Sequence, residues 1–314
     1  MRPVRNHARA SAPEGPPGRA ISNAMRRSVQ IQGFVILFLF LTTLGIWFAV
    51  FREDRSGVLT VSFLDVGQGD AIFIDAPSGR QVLIDGGPDR SVLRELGKIL
   101  PWWDRSIDVV IATHPDADHI SGLVDVLQRY RVENIFHPGV EKNTGPAESM
   151  LLSVASEGAG ETIARRGQII DLGSTGSPQA ARAYIEILFP DRDVSSVETN
   201  TASIVARLVY GDTSFMLTGD SPQSIEGYLV TLDGSSLHAN VLKAGHHGSK
   251  TSSSELFVGF VGPEYVVLSR GCENRYGHPH AEVVALFKRF EIPTLDTCTD
   301  GTVVFHSDGL RVWR

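Results

Sequence analysis

The chain has 314 residues, 42% hydrophobic and 21% charged, ordinary values for a globular protein with a good core, in one large domain or two small ones. Its formal charge is −7; the six Arg and one Glu of residues 1–51 give +5, which leaves −12 for the rest. So acidic a body excludes broad electrostatic wrapping of a nucleic acid, but not the cleavage of one, because metal-binding carboxylates are counted as bare charge.

Residues 1–28, rich in Arg, Pro, Gly, Ala and Ser, read as a disordered basic leader. Residues 29–51 carry no charge and are almost wholly apolar from Gly33 onward, with Phe34, Leu37, Phe38, Leu41, Trp47 and Phe48. About 20 such residues span a bilayer core, so a single transmembrane anchor is expected. A cleaved signal peptide is the rival, but its apolar core is shorter, and Trp47-Phe48-Ala49-Val50-Phe51 suits cleavage poorly. Arg26 and Arg27 precede the segment, and Arg52-Glu53-Asp54-Arg55 follows with no net charge. The positive-inside rule then leaves the N-terminus in the cytoplasm and residues 57–314 outside.

The body opens with a strand at 58–65, a hairpin of strands 71–75 and 81–84 closed by Pro77-Ser78-Gly79, and a helix over 90–100. A strand at 108–112, a His- and Asp-rich loop and a helix over 120–130 come next. A short strand near 134–136 and a helix over 146–156 lead to strands at 168–171, 184–189, 203–210 and 214–217. The rest alternates helix 223–231, strand 240–243, helix 254–260, strand 265–268 and helix 281–290, with closing strands at 302–306 and 310–313. Strands with interspersed helices, in two halves of similar pattern, imply a layered α/β domain with two sheets inside and helices outside. Cys272 and Cys298 are too few for a disulfide scaffold and lack zinc-finger spacing. They form one bridge in an oxidising compartment, or are two small buried apolar residues.

The most specific signal is Thr113-His114-Pro115-Asp116-Ala117-Asp118-His119. Alternate residues of an extended loop face one way, so His114, Asp116 and Asp118 can point together with His119 beside them. Two imidazoles and two carboxylates brought together need a cation. Six of the ten His fall in three tight clusters: His114 and His119, His246 and His247, His278 and His280.

This loop resembles the signature of the metallo-β-lactamase superfamily, whose common form is His-x-His-x-Asp-His. Asp65-Val66-Gly67-Gln68-Gly69-Asp70-Ala71, Leu83-Ile84-Asp85-Gly86-Gly87, Leu217-Thr218-Gly219-Asp220 and Lys243-Ala244-Gly245-His246-His247-Gly248-Ser249 follow in matching order. Together they resemble the C-terminal hydrolase domain of the ComEC/Rec2 DNA-uptake proteins. The resemblance implies an αββα four-layer sandwich over 57–314 with two divalent metal ions at one edge. His114 and Asp116 would hold the first ion, Asp118 and His119 the second, with Asp220 bridging the two and His247, or else His246, completing the ligands of the second ion. Asn200 stands where a further His is usual; it is a ligand or a turn cap. Asp116 and Asn200 replace nitrogen by oxygen, which favours Mn²⁺ over Zn²⁺.

Asp85 is expected to brace the metal loop by hydrogen bonds. Asp65 and Asp70 either do the same or cap strand ends. Lys243, Ser249 and His278 are candidates to meet charge developing on a substrate, and Arg275 and Tyr276 to bind it, while Asp118 orients a metal-activated water. The expected function is a membrane-anchored, extracytoplasmic metal-dependent hydrolase, a nuclease or phosphodiesterase acting on DNA. With one spanning segment it would serve DNA uptake only beside a separate channel protein. The alternatives are a hydrolase of other esters, lactones or phosphodiesters of the envelope, and an anchored scaffold with a degenerate metal site.

Overall fold

The computed structural model describes residues 18–52, 57–174 and 181–314, with side chains of the first stretch described from 25 to 48. Two compact units result, residues 1–54 and 55–314. The first holds helix α1, Gly18–Arg52. Its Met25–Phe48 stretch has a mean hydropathy of 2.1 and is long and apolar enough to cross a membrane. The helix starts before that stretch, so residues 18–28 are helical rather than a disordered leader. Ala, Met and Arg are good helix formers, and the apolar run supplies the nucleus from which they extend. Residues 1–17 lie outside the described residues.

The second unit begins with β1 (Leu59–Phe63), β2 (Ile72–Asp75), β3 (Gln81–Ile84), α2 (Ser91–Ile99), β4 (Ser106–Ile111) and α3 (Ala117–Leu127). It continues through β5 (Arg131–His137), α4 (Gly145–Glu157), β6 (Gly160–Ile163), β7 (Ile169–Asp171) and β8 (Ala183–Phe189). Then come β9 (Val205–Tyr210), β10 (Thr213–Leu217), α5 (Gln223–Asp233), β11 (Val241–Lys243), α6 (Glu255–Val261) and β12 (Tyr265–Leu268). The chain closes with α7 (Ala281–Arg289), β13 (Thr294–Asp296), α8 (Thr297–Asp300), β14 (Val303–Ser307) and β15 (Val312–Trp313).

Strands pair into an eight-stranded sheet, β15-β14-β1-β2-β3-β4-β5-β6, and a seven-stranded sheet, β13-β12-β11-β10-β9-β8-β7. Period-two alternation explains the layering. Leu59, Val61, Phe63, Ile72, Ile74, Val82 and Ile84 face the second sheet's Ile185, Leu208 and Phe215. The opposite parity, Phe73 and Leu83, packs under α2 and α3 with Leu96, Ile120 and Leu123. A third cluster joins Met216, Leu242 and Val266 to Leu229, Phe257 and Phe287 of α5, α6 and α7. Helices outside and two sheets inside make the expected αββα sandwich.

Two strands were not legible. β6 and β13 are three- or four-residue edge strands with little buried surface, and so carry no alternating pattern. Cys272 and Cys298 are joined as a disulfide, and Cys272 is exposed, so the reading as two buried apolar residues is wrong.

Parallel pairing fixes where a site can form. β3, β4 and β5 run parallel in one sheet, and β10, β11, β12 and β13 in the other. Their carboxyl ends open on one edge of the sandwich, the usual ligand-binding side of such sheets.

Candidate metal centre

The polar side chains of the cluster sit at strand ends or in the turns that directly follow them. β4 delivers His114, β3 delivers Asp85, the β1–β2 turn delivers Asp70, and β10 delivers Asp220. β11 ends in Lys243 and leads into a 3₁₀ turn, Gly245–Gly248, that carries His246 and His247. Asp118 and His119 occupy the first turn of α3.

Asp220 Oδ2 is the focus. His119 Nε2 lies 3.3 Å from it, His247 Nε2 3.4 Å, His246 Nε2 3.5 Å and His114 Nε2 3.9 Å. Asp118 Oδ2 is 3.5 Å from His247 Nε2. Ligand atoms of His114, His119 and Asp220, and those of Asp118, His119 and His247, each fall within 4.8 Å of one another. Among the described residues, His114, His119 and His247 Nε2, Asp220 Oδ1 and Asn200 Oδ1 are buried without a hydrogen-bond partner. A buried polar atom left unpaired is costly, and several gathered around one carboxylate are what divalent cations would satisfy. The donor set of imidazole and carboxylate therefore fits such ions.

A hydrogen-bonded frame orients these ligands. Asp85 accepts from the Thr113 N–H and hydroxyl, both at 2.7 Å, and pairs with His119 Nδ1 at 2.8 Å. His247 Nδ1 meets the Ser269 carbonyl at 2.8 Å, which turns Nε2 inward. Asp85, His246 and His247 all have positive φ, 57°, 48° and 55°. That conformation costs about 1–3 kcal/mol at a non-glycine residue and persists only where neighbours over-determine it. For the histidines the neighbours include the buried Glu226, which accepts from the Ser253 and Ser254 N–H groups at 2.6 and 2.7 Å and fixes the following loop. Gly69 is required for a different reason: a Cβ there would lie 2.1 Å from the Asp118 carbonyl oxygen. Asp85→Asn should weaken metal affinity about 10- to 100-fold while the fold persists, because the His119 ring loses its carboxylate brace. A metal titration of the variant checks this.

Of the candidates read from sequence, His114, Asp118, His119, Asp220, His246 and His247 converge. His247 is buried and meets both Asp118 and Asp220, whereas His246 is partly exposed and its Nδ1 faces Thr251 at 3.2 Å. Asn200 has a buried, unpaired carbonyl oxygen three residues before Ser203, whose hydroxyl accepts from the Asp220 N–H at 3.3 Å, and Asp70 enters the cluster through Lys243 and through His247 Nδ1 at 3.3 Å. Asp65 does not; its Oδ1 accepts from Gly67 N–H at 3.4 Å, a turn cap. Asp116 also turns away, its Oδ1 2.8 Å from Lys142 Nζ, because it is the N-cap of α3 and the ammonium neutralises it there.

Two expectations for catalysis are corrected. Lys243 is fully buried and pairs with Asp70, with Asp220 Oδ1 at 3.6 Å and with the Gly219 carbonyl at 3.0 Å. It is an internal counter-charge that no substrate reaches. Ser249 Oγ is bonded to Thr251 Oγ1 at 2.9 Å, beside the histidine turn and outside the cluster. His278 does flank the centre, its ring 5.5 Å from His246 and 6.2 Å from His247, with Tyr276 stacked on it at 5.6 Å and Arg275 over Tyr276. The bracing roles of Thr113, Ser269 and Glu226 were not read from the sequence, since single polar residues on ordinary elements give no signal of their partners there.

Protonation follows the same geometry. Burial, the largest single influence, would lower His119 and His247, but Asp220 together with Asp85 at His119, and with Asp70 and Asp118 at His247, outweighs it and holds both well above the ordinary value. Burial and then neighbouring imidazolium charge lower His114 to about 3 and His278 to about 4. Asp118 is held at about 2 although burial alone would raise it, chiefly by the His247 imidazole 3.5 Å away. Histidines with raised values stabilise the fold below about pH 6.5 and lose that contribution as pH rises through the raised value. Those with lowered values cost stability as pH falls below about 6.5, where the unfolded chain binds protons that the native state refuses. Metal-free protein should thus be most stable near that pH and weaken on both sides; denaturant titrations across the range check it. Metal loading should release protons from His119 and His247.

Residues 64–271 match the family model described as the Metallo-beta-lactamase superfamily. ComE operon protein 3 of Bacillus subtilis (strain 168) is 30% identical over 271 residues, covering 78% of this chain and 32% of that protein. Recombination protein 2 of Haemophilus influenzae is 28% identical over 268 residues, covering 84% and 31% respectively. The chain thus spans about a third of the length of these relatives. In fold it is similar to Igni18, a metallo hydrolase from Ignicoccus hospitalis, with a TM-score of 0.50, 16% identity, and 78% and 98% of the two chains covered. The span matched by the family model contains the gathered His and Asp side chains, and the chain belongs to the metallo-β-lactamase superfamily as a ComEC/Rec2-like, metal-dependent hydrolase.

Proposed function

We propose that the protein is a membrane-anchored phosphodiesterase that hydrolyses DNA outside the cytoplasmic membrane. The observation that carries the reading is the set of unpaired imidazole nitrogens around Asp220, on a chain whose curated relatives include the Competence protein ComA of Neisseria gonorrhoeae, 39% identical over 110 residues. His114, with Asn200 and Asp220, would hold one ion, and Asp118, His119, His247 and Asp220 the other. Asp116 would join the first only by leaving Lys142. The oxygen-rich set favours Mn²⁺.

Bound ions would supply Lewis acidity and a water of lowered pKa. The chain's own residues do the remainder. Asp118, ionised at neutral pH and 30% exposed, accepts a proton from the attacking water and orients it. His278, neutral above about pH 4, is placed to hydrogen-bond a phosphate oxygen, and Arg275 to pair with an adjacent phosphate. An apolar cavity beside His114, lined by Pro115, Ile135, Val140 and Met150, offers a surface for a neighbouring base. Support for export comes from Arg26 and Arg27, which lie within α1 just before its uncharged apolar run, and from the Cys272–Cys298 bridge, which needs an oxidising compartment.

Purified full-length protein with Mn²⁺ should degrade single- or double-stranded DNA and stop on addition of chelator. Failure on both substrates with every divalent metal tried would sink the nuclease reading, and hydrolysis of a simple ester or lactone instead would favour a different envelope substrate. A reporter active only outside the cytoplasm, fused after Arg314, should be active; a silent one reverses the orientation.

A further inference from the structure

The sheet edge opposite the metal centre carries an unusual surface. Trp102 and Trp103, in the loop before β4, are 78% and 57% exposed and meet edge to face at 5.6 Å. Leu310, at the β14–β15 turn, is 77% exposed. Strand register places both loops at one end of the sheet. Leu59 pairs with Ser307, Thr60 with Asp75, Asp75 with Gln81, and Ser106 with Arg131. The start of β1, the start of β4 and the end of β14 therefore share an edge, which is the edge by which the chain enters the body from α1. Lys98 at the end of α2, Arg105 and Arg129 in loops, and Arg131 at the start of β5 are exposed near the tryptophans. Their local carboxylate partners are Glu95 for Lys98 and Glu133, at 3.7 Å, for Arg131; Asp104 is bonded to Gln81 and Ser106. On a body of net charge about −12, Arg105 and Arg129 are left beside the protruding apolar tips without a carboxylate partner among the described residues.

We propose that this edge rests on the surface of an anionic bilayer, with Trp102, Trp103 and Leu310 seated among the lipid headgroups. Tryptophan partitions to that interface because its ring is apolar and its N–H is polar, and flanking Arg and Lys meet lipid phosphates. The alternative occupant, single-stranded nucleic acid stacked on the indoles, fits less well. The six residues of β4, at about 3.3 Å each, hold the tryptophans about 20 Å from His114, so a strand bound there would lie at the wrong end of the domain. Only residues 53–58 separate the end of α1 from β1, so along the chain the start of β1 is the part of this sheet next to the anchor. Seated in this way, the body presents its metal centre away from the lipid, open to a polymer arriving from outside. The inference rests on the anchored reading and is independent of the substrate.

The test uses full-length chain carrying Trp47→Phe and Trp313→Phe, reconstituted in vesicles of phosphatidylcholine and phosphatidylglycerol with or without brominated acyl chains. Trp102 and Trp103 should lose more than half of their fluorescence to the brominated lipid. A Trp introduced by Leu310→Trp, after Trp102→Phe and Trp103→Phe, should be quenched likewise, and one introduced by Tyr276→Trp at the metal edge should not. That second pair keeps the test valid if the tryptophan loop tolerates change poorly. Unquenched Trp102 and Trp103 in chain that stays with the vesicles overturns the inference, as does quenching by an oligothymidylate and not by lipid. Chain that fails to associate with vesicles at all overturns the anchor and this inference together, so the two failures are told apart.

Discussion

Asp220→Ala should leave a folded protein that binds little metal and hydrolyses its substrate at least ~100-fold more slowly, the scale on which a single electrostatic stabiliser is lost. The size of the effect follows from position. One carboxylate oxygen lies within 4 Å of four imidazole nitrogens and the other faces Lys243, so the substitution removes the group common to both ligand sets. Asp220 also holds His119 and His247 protonated in the metal-free state, and its loss should drop both toward and below the ordinary value, since burial then acts with less opposition. Metal content, measured beside the pH titration of the two imidazoles, separates loss of a ligand from loss of the fold. Near-normal metal content and activity in the variant would remove Asp220 from the centre.

Lys243→Met should be the most destabilising polar substitution in the body, by about 3–5 kcal/mol, because it strips Asp70 of its principal counter-charge in the interior. Burial raises the cost of that carboxylate; Lys243, and then His247, hold its pKa well below the usual range. Methionine keeps the volume and removes only the charge. If Lys243 instead met the substrate, the variant would fold normally and lose activity; the buried geometry predicts the reverse order, a fall in unfolding free energy with metal-loaded activity retained below the melting point. Pairing Lys243→Met with Asp70→Leu should recover much of the stability, since replacing both members of a buried pair by apolar groups is often near neutral.

Much of this centre was legible because its chemistry is written in short spacings. His114, Asp118 and His119 come from one loop, and Asp220 and His247 from strand ends whose order in the chain is itself a pattern. Asp116 was misplaced by the same logic that found its neighbours: alternation holds in an extended loop, but α3 begins at Ala117 and leaves Asp116 at the turn, where Lys142, distant in sequence, takes it. Lys243 was misread because proximity to the histidine pair says nothing of burial. β11 lies between β10 and β12, with a helix layer on one side and a sheet on the other, so all three of its residues are covered. The tryptophan edge gave no signal at all, since only strand register shows that the 102–103 loop, the 310 turn and the start of β1 lie together.

The four-layer fold was readable from alternation in the long central strands and unreadable in β6 and β13, which bury too little to be patterned. The helical start at Gly18 was missed because composition alone cannot register that a neighbouring apolar helix will extend.

The most direct test of the centre is the metal stoichiometry of the full-length protein loaded with Mn²⁺ and freed of excess ion, measured by elemental analysis. Two ions per chain, falling to one or none in Asp220→Ala, is the expected result; fewer than one ion in the wild-type protein, unchanged by Asp220→Ala, would contradict a two-metal centre.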